Sequence, residues 1–157
     1  MNFVTGGTGL LGAHVLVELT KRDKKVKALK RPSSDLSDIH KIFAHFFGEM
    51  ATQRFAQITW VNGDILDLVS LEEGMKDCNT VYHVAGLVSF KKRDFKRLMK
   101  VNKEGTANVV NTALALGIKE FAHVSSTAAI GRSAAKELYN ETNKWVTTRD
   151  NSNYAVS

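Results

Sequence analysis

The chain has little of what marks secreted, metal-binding or membrane-spanning proteins. Cys78 is its single cysteine among 157 residues. No internal disulfide is available, and a reducing compartment fits that usage. Pro32 is the single proline, and there is no internal repeat, low-complexity tract or obvious linker. That continuity points to one domain large enough to bury a real core. No charged stretch followed by an apolar run opens the sequence, so no signal peptide is visible. No apolar run reaches the length of a membrane span. These absences read as a cytoplasmic protein without a membrane partner. Five histidines are present, but His40 and His45 lie five apart, off one helical face. No Cys/His cluster has metal-ligand spacing, so no metal site is expected.

What the chain does have is positive charge. The formal net charge is +6, with a pI near 9.5. The charge reads as scattered, with part of it free to face phosphates. Lys92, Arg93, Lys96, Arg97 and Lys100 fall at helical spacing. They read as a solvated helix face and not a nucleic-acid site, because no aromatic platform or binding motif accompanies them.

The most informative residues come first. Asn2-Phe3-Val4-Thr5 is a short strand, Gly6-Gly7-Thr8-Gly9-Leu10-Leu11-Gly12 follows at once, and Ala13 to Leu19 opens a helix with apolar residues at helical spacing. Strand, glycine-rich turn and helix make a nucleotide-binding beginning. Gly6 lets the chain turn tightly off the strand. Gly9 lets backbone approach a pyrophosphate, and Gly12 lets the helix pack close to the strand. Phosphates would sit on free N–H groups at the positive end of the helix. No Lys-Ser or Lys-Thr follows, which disfavours a nucleoside-triphosphate P-loop.

Further along, strands and helices alternate. Strands are predicted over 25–29, 57–61, 80–84 and 120–124, and helices over 35–48, 69–75 and 94–116, the last stopped by Gly117. A polar stretch then runs to about residue 152. Such alternation means an α/β fold, a doubly wound parallel sheet of Rossmann type with five strands or more flanked by helices. Ligands in such sheets bind at the carboxyl ends of the strands. The polar and glycine-containing stretches 6–12, 30–34, 63–64, 85–90 and 125–131 fall at those ends.

Taken in order, Thr5-Gly6-Gly7-Thr8-Gly9-Leu10-Leu11-Gly12, Gly63-Asp64-Ile65-Leu66-Asp67, His83-Val84-Ala85-Gly86, Val101-Asn102-Lys103-Glu104-Gly105-Thr106-Ala107-Asn108-Val109 and Val124-Ser125-Ser126-Thr127 closely resemble the extended short-chain dehydrogenase/reductases, the NAD(P)-dependent epimerase/dehydratase family. Within that family the chain is most similar to the dihydroflavonol-reductase and 3β-hydroxysteroid-dehydrogenase branch. The resemblance covers the whole chain. It implies hydride transfer between a nicotinamide cofactor and a carbonyl or alcohol carbon, in a reductase, epimerase or dehydratase acting on a small-molecule carbonyl or alcohol, or on a nucleotide sugar.

The resemblance also implies site residues. Thr8, Leu10 and Leu11 join the three motif glycines around the cofactor, and Val84, Ala85 and Gly86 leave space beside its ribose; Gly86 as a plain turn residue is the alternative. Asp64 accepts from the adenine amino group and Ile65 packs on the ring, with helix capping by the acidic residues as the alternative. Asn102 is placed with the cofactor-binding residues as a support of the active-site architecture, with a surface asparagine as the alternative, and Ser125 faces the cofactor. Ser126, five before Gly131, orients the substrate oxygen, with Thr127 as the fallback. Lys30 and Arg31 end the second strand where an NAD site places an acidic residue. A guanidinium can grip a 2′-phosphate with two hydrogen bonds. NADP is therefore favoured, with NAD as the other possibility.

Tyr154 is the candidate general acid/base. A free tyrosine has a pKa near 10, so about one in a thousand is ionised at neutral pH. A neighbouring lysine ammonium and an oxidised nicotinamide would favour the phenolate. The family signature is Tyr-x-x-x-Lys, and here Ala155, Val156 and Ser157 follow Tyr154 and the chain stops. The expectation is an amino-terminal half: residues 1–157 as a cofactor-binding domain ending before the catalytic lysine and the substrate-binding part. Such a fragment is expected to be inactive, with Tyr154 on a fraying turn, its ring without a fixed position. Apolar surface left open would make a homo-oligomer possible. The alternative function is a non-catalytic dinucleotide-binding sensor or partner-docking module.

Overall fold

The structure is a computed structural model that describes residues 1–130, 140, 142, 144–148 and 151–157. Five strands form one sheet: β1 (Asn2–Thr5), β2 (Val26–Lys30), β3 (Ile58–Asn62), β4 (Thr80–His83) and β5 (Glu120–His123). The order is β3-β2-β1-β4-β5, and every pairing is parallel. The expected doubly wound sheet is therefore present, and each predicted strand lies within one residue of the observed one.

The strand sequences explain why both faces are covered. Phe3 and Val4 are adjacent, so they point to opposite faces of β1, and both are fully buried. Val4 packs with Leu16, Val17, Ala28, Ile39 and Phe43, under α1 (Leu10–Lys21) and α2 (Ser37–Phe47). Phe3 packs with Leu29, Leu71, Met75, Val81 and Val109, under α4 (Leu68–Met75) and α6 (Thr106–Ala115). Parallel strands buried on both faces need apolar residues at consecutive positions, which is what β1 supplies.

Three helix expectations change. α1 begins at Leu10, three residues before the predicted start, because Gly9 in extended conformation (φ −89°, ψ 167°) serves as the cap and its carbonyl accepts from Ala13 N–H at 2.9 Å. The helix predicted from Asp35 starts at Ser37, since the Asp35 carboxylate accepts from both the backbone N–H and the hydroxyl of Ser37; a further short helix, α3 (Ala51–Phe55), follows it. The long helix predicted over 94–116 is three pieces: α5 (Phe95–Leu98), a π-helical stretch over Met99–Gly105, and α6. Insertions of this wider winding in an α-helix are frequent at functional sites. A last turn, α7 (Asn153–Val156), packs against α5 and against a 3-10 turn at Thr127–Ile130.

Candidate functional site

At the carboxyl ends of the strands lies a cleft of about 610 Å³. The glycine turn forms its floor. Gly6 has φ +72°, and a Cβ there would lie 2.5 Å from the backbone nitrogen of Ala85. A Cβ on Gly12 would overlap the carbonyl oxygen of Gly6. Neither position accepts a side chain, so the turn, the strand and the helix fit only with glycine. Gly9 differs: its Cβ would make an ordinary 3.5 Å contact with Gly6 O. The protein itself does not require glycine at position 9, which leaves close approach by a ligand as a reason for it. The first intrahelical bond of α1 is that of Ala13, so the N–H groups of Leu10, Leu11 and Gly12 have no intrahelical acceptor at the edge of the cleft.

The cleft gathers Gly6, Thr8, Gly9, Leu10, Leu11, Gly12, Lys30, Arg31, Asp64, Ile65, Val84, Ala85 and Gly86. These stand in four separate stretches of sequence and meet in one place. The acidic residues of this stretch differ in what they engage. Asp67 caps α4 by accepting from Val69 N–H at 3.1 Å, while Asp64 accepts from Leu66 N–H at 3.0 Å and stays on the cleft. Ile65 is only 7% exposed and packs under Gly105, where an added Cβ would meet its Cδ1 at 2.5 Å. Most of its side chain belongs to the core, and only an edge is available to a ring in the cleft.

Asn102, expected among the cofactor contacts, does not line the cleft. Its Oδ1 accepts from Leu87 N–H at 2.8 Å, and its Nδ2 donates to Leu87 O at 2.9 Å and to Ser157 Oγ at 2.9 Å. A side chain with both ends engaged by one backbone unit is a clamp on the loop after β4. It sits in the π-helical stretch. Ser125 is exposed and also outside the cleft lining.

Ser126 and Tyr154 lie beyond the lining residues. Ser126 Oγ accepts from Ala128 N–H at 3.2 Å at the start of the 3-10 turn. The spacing from Gly131 that selected Ser126 ends outside the described residues. Tyr154 is placed more firmly than the sequence leads one to expect. Ser152 Oγ accepts from Ala155 N–H at 3.1 Å, capping α7, and the Tyr154 ring meets Phe90 edge-on with centroids 6.1 Å apart. The Ser157–Asn102 bond ties the end of the turn to the π-helical stretch. A cap and one long-range bond hold a turn that would not nucleate alone.

Sequence reasoning missed two features. Ser34, Leu87, Val88, Arg97 and Val101 also line the cleft; the helical spacing of Arg97 and Val101 was the available signal. Thr5 Oγ1 lies 2.7 Å from His83 Nδ1, and Thr106 Oγ1 lies 2.9 Å from His83 Nε2. Thr5 Oγ1 also accepts from Ala85 N–H at 3.3 Å. This chain of bonds joins the base of the glycine turn, the loop after β4 and α6. His83 is fully buried, and burial, with His123 stacked beside it at 5.2 Å, holds its pKa down at about 4. Its neutrality keeps one ring nitrogen as donor and the other as acceptor. Among the described residues no group of His, Cys, Asp and Glu could hold a metal, and no helix is long and apolar enough to cross a membrane.

With the cleft defined, comparison with known proteins becomes decisive. The family model described as the NAD dependent epimerase/dehydratase family matches residues 2–157. The chain belongs to that family. A provisionally named dihydroflavonol 4-reductase of Synechocystis sp. is 34% identical over 129 residues, covering 82% of this chain and 33% of the relative. Mouse (Mus musculus) 3 beta-hydroxysteroid dehydrogenase type 7 is 30% identical over 129 residues, again covering 82% and 33%. The chain thus spans about a third of the length of these relatives. Among solved structures, a UDP-glucose-4-epimerase from Stenotrophomonas maltophila with bound NAD and formylated UDP-arabinopyranose superimposes with a TM-score of 0.77 at 21% identity, covering 99% of this chain and 44% of the other. That likeness establishes the Rossmann-type fold.

Proposed function

We propose that the cleft binds a nicotinamide dinucleotide, with preference for NADP(H), as the cofactor-binding part of a longer oxidoreductase. One observation carries the reading: a glycine turn that excludes side chains at two positions and opens onto a helix start with free N–H groups, facing the cations that end β2. The N–H groups of Leu10, Leu11 and Gly12 would hold the diphosphate. Arg31 and Lys30 would hold a 2′-phosphate, which a carboxylate at that place would repel. Asp64 would accept from the adenine amino group, and Ala85 and Gly86 would leave room for the ribose.

When bound, the nicotinamide supplies or takes the hydride. The remaining work falls to the chain. Ser126 holds the substrate oxygen by its hydroxyl. Tyr154 gives the proton to that oxygen in reduction and takes it in oxidation. Asn102 fixes the loop after β4, so the wall beside the cofactor keeps its shape. The substrate is a carbonyl or alcohol. Turnover of NADPH with a panel of ketones by the longer protein tests this reading. Silence with ketones together with turnover of nucleotide sugars would remove the reductase assignment and leave the epimerase/dehydratase one.

A further inference from the structure

The net charge of the chain is not scattered, as the sequence first suggested. Between positions 91 and 104 seven lysines and arginines stand against Asp94 and Glu104. That stretch therefore carries +5 of the chain's +6, and the remainder is nearly neutral. The ion pairs among the described residues all lie elsewhere, on Glu18, Asp23 and Asp38. The Asp94 carboxylate accepts instead from the Ser89 hydroxyl at 2.6 Å. Lys92, Lys96 and Lys100 follow one another at intervals of four, where like charges on a helix repel. A concentration of like charge with so little internal counter-charge destabilises its own segment, and a bound anion would relieve it.

The position of the segment indicates which anion. Leu98 and Gly105 form its buried side, and Lys96, Lys100 and Lys103 are exposed. Arg97 is exposed as well, and it lines the cleft together with Val88 and Val101. Its guanidinium makes no hydrogen bond or ion pair with a described residue. Among the described residues the cleft then presents Lys30, Arg31 and Arg97 against Asp64 alone. A ligand matching that balance carries more than one negative charge.

We propose that Arg97 contacts a phosphate of the ligand and that the lysines beside it steer phosphate-bearing ligands into the cleft. The inference rests on the dinucleotide reading given above and assigns to it a residue on a different wall from the glycine turn. Arg97 acts on phosphate shared by both cofactors, whereas Arg31 acts on the extra phosphate of NADP(H). The two arginines therefore have different signatures.

The test uses NADPH, NADH and adenosine as probes, at low and at physiological ionic strength, with equilibrium titration and stopped-flow fluorescence. Arg97→Gln is expected to weaken NADPH and NADH by the same factor, about tenfold, and to leave adenosine unchanged. The combined variant Lys92→Gln, Lys96→Gln, Lys100→Gln is expected to slow association roughly three- to tenfold at low salt, with the difference shrinking as salt rises. Lys24, Lys25 and Lys119 lie just before β2 and β5, at the opposite end of the strands. Replacing those three by Gln removes the same charge and is expected to change association little. Thermal melts of each variant verify folding. Wild-type affinity, rates and salt dependence in the Arg97 and Lys92/96/100 variants would overturn the proposal, and would point to a macromolecular anion as the partner of the patch. Equal slowing by the Lys24/25/119 variant would overturn the steering role. Failure of the unaltered chain to bind either dinucleotide would instead overturn the reading of the cleft itself.

Discussion

β1 and β5 belong to one sheet yet present their site residues in different ways. β1 lies at the centre, paired on both sides, with Phe3, Val4 and Thr5 fully buried. The turn that leaves it is fixed by sterics, since Gly6 and Gly12 admit no side chain. Among the described residues β5 pairs only with β4, and all four of its residues are exposed. What leaves β5 is a short turn carrying Ser126, and Tyr154 stands on a single capped helical turn packed beside it. Residues proposed to bind the dinucleotide stand on a rigid floor; those proposed to do chemistry stand on an edge. In the proposed reading, binding depends on backbone shape, and chemistry on side chains held by a few specific hydrogen bonds.

The largest effect should come from the floor. Gly12→Ala is expected to lower stability by about 2–3 kcal/mol, the cost of forcing atoms into a packed site, and to abolish dinucleotide binding. Urea denaturation and cofactor titration measure the two separately. Gly9→Ala sharpens the contrast: stability should hold within about 0.5 kcal/mol while binding falls. Equal loss of stability in both variants would break the distinction between a glycine the fold needs and one the ligand needs.

The His83 bridge gives an effect of similar size on stability, set by pH, without the loss of binding. Its pKa is near 4 in the folded chain and about 6.5 when free. Between those values the unfolded state binds more protons, so stability falls as pH drops from 6.5 towards 4 and is fully present above 6.5. The loss attributable to His83 is on the order of 3 kcal/mol. His83→Gln should be less stable at pH 7 but should lose this part of the pH dependence. A variant retaining the full wild-type slope would transfer the effect to other groups.

Arg31→Asp should weaken NADP binding more than NAD binding, by about 1–3 kcal/mol for a lost charged hydrogen bond. Equal weakening of both in calorimetry would refute the role given to Arg31. The smallest effect on binding should come from the edge. Tyr154→Phe should change cofactor affinity and stability by less than about 0.5 kcal/mol while strongly lowering turnover in the proposed longer oxidoreductase. A large loss of cofactor affinity would place Tyr154 in the binding machinery instead.

How much of this was legible follows the same division. The glycine turn could be read because its spacing encodes steric necessity within a dozen residues. Lys30, Arg31 and Asp64 could be read because strand ends place them at the crevice. The partner of Asn102 was hidden, because Leu87 lies fifteen positions earlier and no local pattern announces a clamp between them. The π-helical stretch was equally hidden, since a helical apolar period does not reveal where winding widens. Arg97 was taken as part of a solvated face because periodicity assigns a side to a residue without saying what stands opposite. The hold on Tyr154 depended on Ser152 and Phe90, one too local and one too distant for a pattern of apolar residues to show.

The central claim is that these 157 residues form a dinucleotide cleft of their own. Calorimetric titration of the chain with NADPH, and separately with NADH, tests it most directly. The account predicts one cofactor bound per chain, with NADPH the tighter of the two. No binding of either at millimolar concentration by a chain shown to be folded would contradict it.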